Sequence, residues 1–344
     1  MKDTKNTIAA VLDQVSAADL TPIREFLLGN PSEPLVAIGS GGAAAAADLL
    51  ALLYGARGGV STAVTPYTLN SFSDAALKTG KVVLLSKGGH NNDVVFATSR
   101  ALEVNPSKTA AINLYDGDRN DARKLFVKAG SPLSFTVPVR GTNDGFVSLG
   151  TPFAYFSLLA KVFHPGLDLG KFKEIPSAPF TLCRNGGGAL SMADVASARS
   201  FFLLHGSWGR PVAQVLEGKM VESGLATACV CDFRNYCHGR FIHTSNHLED
   251  SVVVMLVSPR EKDIVERTRG FLPAGTKLVL IETAEDAPEA SLDLLIRATE
   301  FFMELCPAAG VDPDSPSNPG RIDKRKPMWV PFKAELKRNG PLTL

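Results

Sequence analysis

The stretch "LLSKGGHNNDVV", residues 84–95, joins an apolar run to a glycine turn and then to a polar segment that opens like a helix. An uninterrupted apolar run of this kind suits a strand covered on both faces, and the glycine pair permits a tight reversal into the helix. The same plan stands upstream in "PLVAIGSGGAAAAADLLALLYGA", residues 34–56, where Gly39-Ser40-Gly41-Gly42 separates a short apolar run from an alanine-rich helix. "KTAAINLYD", 108–116, adds a further short strand. Strands alternating with helices imply right-handed crossovers and a parallel sheet, so this part of the chain is expected to be α/β.

A second pass of the pattern begins after "CRNGGGALSMAD" at 183–194. Phe201–Leu204 leads into "HGSWGRP" and a helix. "DSVVVMLVSPREKDIVERTRGFL" (250–272) and "TKLVLIETAED" (276–286) repeat strand, turn, helix and strand. The expectation is two αβα three-layer domains with parallel sheets: residues 1–180 with a helical lead-in broken near Ser16-Ala17, residues 181–311, and an extended proline- and charge-rich tail at 312–344. "GFVSLGTPFAYFSLLAKVFH" reads as the helix that closes the first half.

The chain has 344 residues, enough for two domains of ordinary size. With 36 basic and 35 acidic residues it lacks the charge of a polyanion binder, and the short basic run "RIDKRK" at 321–326 reads as a solvated arm, so no nucleic-acid partner is expected. No apolar run reaches the ~20 residues of a membrane span, and the start of the chain lacks a secretory signal pattern; a cytoplasmic protein without a membrane partner is expected. Five cysteines, an odd number at low density, read as thiols.

In an open parallel sheet, ligands sit beyond the carboxyl ends of the strands, where turn amides and helix N-termini point. Both glycine turns fall there. Neither carries a dinucleotide fingerprint or a Walker lysine, and no cofactor is expected. The pattern resembles the sugar isomerase (SIS) family, in particular the double-SIS isomerase half of glucosamine-6-phosphate synthase. "SKGGHNND" is similar to the family's Ser-Gln-Ser-Gly-Glu-Thr-x-Asp turn at Ser86, Gly89 and Asp93. "GTNDGFVSLGT", 141–151, is similar to Gly-Thr-Glu-x-Gly-Val-Ala-Ser-Thr at Gly141, Thr142, Gly145 and Ser148. The resemblance implies a sugar-phosphate ligand, with Ser40, Gly41, Ser86, Lys87, Gly89, His90, Asn91 and Ser148 as binding residues. The departures are Gly42 and Ala43 for Thr and Ser in the first turn, and Gly88 and Asn91 for Ser and Thr in the second. They remove hydroxyls that would grip the phosphate.

In 211–241, Pro211, Lys219, Glu222, His238 and Gly239 fall in register with the family's catalytic segment, His238 standing sixteen residues beyond Glu222. The resemblance implies that Glu222 moves a proton between C1 and C2 of the open-chain sugar and that His238 assists ring opening. Lys219, three residues before Glu222, is expected to project from the same helical face and to stabilise an oxyanion there. The family's C-terminal lysine is not matched, Ala309 standing before Gly310, and no glutaminase is expected. An aldose–ketose isomerase or a deglycase is therefore expected, acting as a homodimer as the family does. A binding protein that has lost catalysis is the alternative.

Cys229, Cys231, Cys237, His238, His243 and His247 crowd into nineteen residues without the Cys-x2-Cys pairs of a structural zinc site or the glutamate of a zinc protease, so no metal is expected. Cys229 and Cys231 alternate on "ATACVCD" and read as small apolar fillers on one face of a strand. Trp208, Arg210 and Arg240 stand in loops expected near the site, either as ligand contacts or as surface packing.

Overall fold

The computed structural model describes residues 4–115, 117, 120–140 and 147–315. Gly141, Thr142 and Gly145 of the resemblance, and the tail beyond 315, lie outside the described residues. The chain forms two compact units that are discontinuous in sequence. Among described residues the first takes 13–140 and 157–167, and the second takes 4–12, 147–156 and 168–315.

Helices α1 (Thr4–Ala17) and α2 (Thr21–Leu28) form the lead-in, with the break where Ser16-Ala17 placed it and Pro22 in the first turn of α2. β1 (Leu35–Ile38) then feeds α3 (Gly42–Ala56), and β2 (Ser61–Val64) returns. α4 (Asp74–Thr79) precedes β3 (Lys81–Ser86), α5 (Asn92–Val104), β4 (Thr109–Asn113), α6 (Asp121–Lys128), β5 (Ser134–Thr136) and α7 (Gly150–Phe163). β1 to β5 make one all-parallel sheet in the order β2-β1-β3-β4-β5. β1, β3 and β4 are buried along their whole length, which is why they read as continuous apolar runs. Val36, Ile38, Val82 and Leu84 pack with Leu69, Ala97, Ala101 and Phe126 into the core of this unit.

In the second unit β6 (Thr181–Arg184) leads through α8 (Met192–Ala196) to β7 (Ser200–His205) and α9 (Arg210–Glu222). β8 (Thr227–Asp232), α10 (Phe233–Asn235), α11 (Phe241–Asn246), β9 (Ser251–Val257), α12 (Lys262–Phe271), β10 (Lys277–Glu282) and α13 (Glu289–Ala308) follow. The sheet order is β6-β10-β9-β7-β8. Read from the other edge, β8-β7-β9-β10 repeats the β2-β1-β3-β4 of the first unit. The fifth position differs. β6 enters before the other four strands and pairs antiparallel with β10, Lys277 opposite Arg184, whereas an all-parallel sheet was expected. A strand that precedes the repeat by sequence reaches the far edge from the opposite direction, and an edge position tolerates either polarity.

Candidate active site

An order of 2-1-3-4-5 has one topological switch point, between the strands in its second and third places, where successive crossovers leave in opposite directions and a crevice opens beyond the carboxyl ends. In the first unit that place lies between β1 and β3. The two glycine turns singled out in the sequence flank it.

After β1 the chain turns at Gly39, whose amide donates to Val64 O at 3.2 Å. A Cβ on Gly39 would come 2.1 Å from the carbonyl oxygen of Ala43, so only glycine allows the helix to start this close to the strand. Gly41 takes φ +53 and caps α3 without a side chain, and a Cβ on Gly41 or Gly42 would meet no described residue within 4 Å. The start of α3 therefore has no described side chain capping it, its Ala43 and Ala44 amides donating to the carbonyls of Ser40 and Gly41. A helix start left in this state attracts an anion. Ser40 sits half-buried beside it, its carbonyl receiving the amide of Ala43 at 3.1 Å.

After β3, Ser86 Oγ accepts the amide of Gly89 at 3.1 Å, and Asn91 Oδ1 accepts that of Asp93 at 2.8 Å as the N-cap of α5. The exposed His90 folds back over Gly88, where a Cβ would lie 2.6 Å from its Nδ1. Lys87 is half-buried and its carbonyl receives Leu114 N at 3.1 Å. Burial pushes the Asp93 carboxyl above its usual range. Ser40, Gly41, Ser86, Lys87, Gly89, His90 and Asn91 are thus gathered at one sheet edge.

The corresponding place in the second unit, between β7 and β9, is built differently. There a Cβ on Gly206 would come 1.9 Å from Glu261 Oε1, so the carboxylate lies against the turn after β7. The same carboxylate accepts from Ser258 N at 2.9 Å and from Ser258 Oγ, the turn after β9. A side-chain anion already fills this crevice. His205 closes β7 beside Asp232 at the end of β8, with Nδ1 3.0 Å from Gly206 O. Burial holds its pKa below the ordinary value, against the opposing pull of the Gly206 hydrogen bond and the Asp232 charge.

Lys219, Glu222, His238 and Ser148 also belong to the second unit. Lys219 is 5% exposed, and its ammonium donates to the carbonyl oxygen of Ser148 at 2.7 Å while standing 5.9 Å from the Phe302 ring. Two residues expected at the site from segments 71 apart are therefore joined. Ser148 Oγ donates to Thr151 Oγ1 at 3.0 Å. Glu222 ends α9 and is exposed. His238 is exposed at a kinked turn, Tyr236–Arg240, where His238 and Gly239 leave helical backbone angles, Gly239 at φ +116. Two ties hold that turn. Asp232 Oδ1 receives the amides of Arg234 and Asn235 at 2.9 and 2.8 Å, and the buried Tyr236 hydroxyl bonds Thr244 Oγ1 at 2.9 Å.

Burial pushes the Cys231 thiol up to about 12, and Cys231 packs in the core with Cys229 against it, as apolar fillers do. Arg240 Nη1 rests 3.2 Å from Cys229 Sγ. Trp208 is buried, its carbonyl receiving Ser291 Oγ at 2.7 Å, so packing accounts for it. Two groups beside the turn after β3 escaped the sequence reading: Asn113, which closes β4, and Asn120, which caps α6. The signal was a polar residue ending the apolar run "TAAIN" at a carboxyl edge.

In solved structures the chain is similar to tagatose-6-phosphate ketose/aldose isomerase from Escherichia coli, with 16% identity, TM-score 0.68, and coverage of 92% of this chain and 95% of that one. It is also similar to glucosamine-6-phosphate deaminase from Thermotoga maritima (16%, TM-score 0.61, 91% and 97%). A third is the C-terminal domain of glucosamine-fructose-6-phosphate aminotransferase from Francisella tularensis (12%, TM-score 0.62, 91% and 96%). These likenesses establish the fold. No protein-family profile and no curated protein matches the sequence. No helix among the described residues is long and apolar enough to cross a membrane.

Proposed function

We propose that this chain binds a sugar phosphate and interconverts an aldose and a ketose phosphate, or removes an amine from a phosphorylated amino sugar. The observation that carries the reading is the first switch point, where two glycine turns present helix starts to one crevice and Gly41 leaves α3 without a capping side chain. Fixed amides and helix dipoles suit a phosphate without hydroxyl side chains, each helix start contributing about 0.3–1 kcal/mol. The filled crevice of the second unit makes the first the natural place for the anion. Similar folds carrying the names of sugar-phosphate isomerase and deaminase agree with this.

Glu222 and His238 are the proposed acid–base pair. Both are exposed, as groups that exchange protons with a substrate must be. An enediol path needs a carboxylate to take a proton from one carbon and return it to the next, and an imidazole suits proton transfer at the ring oxygen near neutral pH. Lys219, held by Ser148, acts by fixing the α9 segment that ends in Glu222. Five thiols suit a cytoplasmic setting, and we include a homodimer in the proposal.

The test is turnover in D2O with fructose 6-phosphate and tagatose 6-phosphate, followed by NMR. The reading expects product together with deuterium at C1 or C2, and a loss of roughly 100-fold or more in Glu222→Gln with binding retained. Binding without exchange supports the second reading, a regulatory phosphosugar-binding protein. The specific observation on its side is that the Lys219 ammonium is spent on a backbone carbonyl.

A further inference from the structure

Behind the turn that follows β3, two carboxamides are buried without the partners that buried amides require. Asn113 is 1% exposed, and neither its Oδ1 nor its Nδ2 has a hydrogen-bond partner among the described residues. Asn120 is 3% exposed; its Oδ1 accepts the amide of Arg123 at 2.9 Å, while Nδ2 has no partner among the described residues. Buried polar groups in folded proteins are nearly always paired, because an unpaired one gives up its hydration for nothing. Three such atoms on two side chains point to a group that is absent from the protein alone.

Both side chains lie on the β4 side of the turn that follows β3, one strand away from the switch point between β1 and β3. Asn113 is the register partner of Ser86 across the parallel ladder, so the two side chains leave the sheet on the same face. Ser86 Oγ in turn receives the amide of Gly89. Asn120 lies against Gly89 itself: a Cβ there would come 2.0 Å from Asn120 Oδ1, and Gly89 O receives the amide of Ala122 at 2.9 Å. The turn is thus backed by one carboxamide from the end of β4 and one from the start of α6.

The missing partner can be read from the donors and acceptors. A phosphate offers only acceptors, which would leave Asn113 Oδ1 unmatched, whereas a sugar hydroxyl both donates and accepts and so satisfies both ends of one carboxamide. Asn120 has a donor alone to offer, which matches any sugar or phosphoryl oxygen. We propose that Asn113 and Asn120 are sugar-binding residues of this site: Asn113 exchanges two hydrogen bonds with a hydroxyl of the bound sugar phosphate, and Asn120 donates to one of its oxygens. This rests on the phosphosugar reading above. It deepens that reading by placing carboxamides where the turns lack hydroxyls. Contact with the sugar requires the Gly88-Gly89 turn to move, with loss of the Gly89 N–Ser86 Oγ and Ala122 N–Gly89 O bonds.

The experiment is calorimetric titration of fructose 6-phosphate and of inorganic phosphate into the wild-type chain, Asn113→Leu and Asn120→Asp. Leucine is close to asparagine in size and removes both unpaired atoms. Aspartate keeps the oxygen that caps α6 and replaces the unpaired donor with an acceptor, so the second variant remains informative if the first folds poorly. The expected result is fructose 6-phosphate affinity about 10-fold lower in each variant, as for one or two lost hydrogen bonds, with phosphate affinity in Asn113→Leu within about twofold of wild type. Unchanged fructose 6-phosphate affinity in both variants would show that the carboxamides hold only water and overturns the proposal. An equal loss for both probes in Asn113→Leu would mean that this carboxamide shapes the turn alone, and overturns the proposal as well. A wild-type chain that binds neither probe defeats the phosphosugar reading itself, a result distinct from binding that the substitutions leave untouched.

Discussion

The ammonium of Lys219 donates to the carbonyl oxygen of Ser148 at 2.7 Å, tying the last turn of α9 to the residue two positions before α7. The bond matters because Glu222, the proposed base, lies on that last turn, and a base displaced by about 1 Å can cost a reaction 100-fold. The charge is buried, and a charge-assisted bond with the Phe302 face nearby offsets part of its lost hydration.

Replacing this lysine by methionine removes the charge and leaves the Ser148 carbonyl without that donor. Lys219→Met is expected to destabilise the chain by about 1–3 kcal/mol, lowering the melting temperature by about 2–4 °C for each kcal/mol. Scanning calorimetry checks it. An unchanged melting temperature would show that the bond contributes nothing net.

Acid should destabilise the second unit through His205. Its folded pKa lies below the ordinary 6.5, so below that pH the unfolded chain takes up a proton that the folded chain refuses. Its contribution is therefore complete above about pH 6.5 and is lost as pH falls from there toward the depressed folded value. Melting temperatures measured from pH 8 to 5 should decline over the lower half of that range, and His205→Gln should flatten the decline. An identical pH profile in the variant would contradict this.

The two crevices predict unequal tolerance of an added methyl group. Gly39→Ala forces a Cβ onto the backbone oxygen of Ala43, whereas Gly206→Ala meets the Glu261 side chain, which can rotate away. Overpacking against backbone costs about 1–3 kcal/mol, so Gly39→Ala should melt well below Gly206→Ala in parallel thermal scans. Equal melting temperatures would argue against rigid packing of α3 on β1.

Much of this architecture was legible in the sequence because its causes are local. "PLVAIGSGG" and "LLSKGGHNN" each carry a buried strand, a turn that needs glycine and a helix start, and the structure brings both turns to one switch point. The polarity of β6 was not legible, since four partly exposed residues at an edge carry no signal of direction. The three-residue spacing of Lys219 and Glu222 predicted a shared helical face, but Lys219 is buried whereas Glu222, at the end of the helix, is exposed. Asn113 and Asn120 went unread because the lack of a partner is a property of the assembled fold, not of a motif.

The most direct test of the central claim, that a sugar phosphate binds at the switch point between β1 and β3, is a titration of fructose 6-phosphate into the wild-type chain and Gly42→Asp. The site of the added carboxylate is open, and an acidic residue is favourable at a helix start, so the fold should be kept while a negative charge stands where the phosphate would bind. The account predicts saturable binding by the wild type, no binding of unphosphorylated fructose, and loss of fructose 6-phosphate binding in the variant at unchanged melting temperature. Equal binding by both chains, or no binding by the wild type, would contradict it.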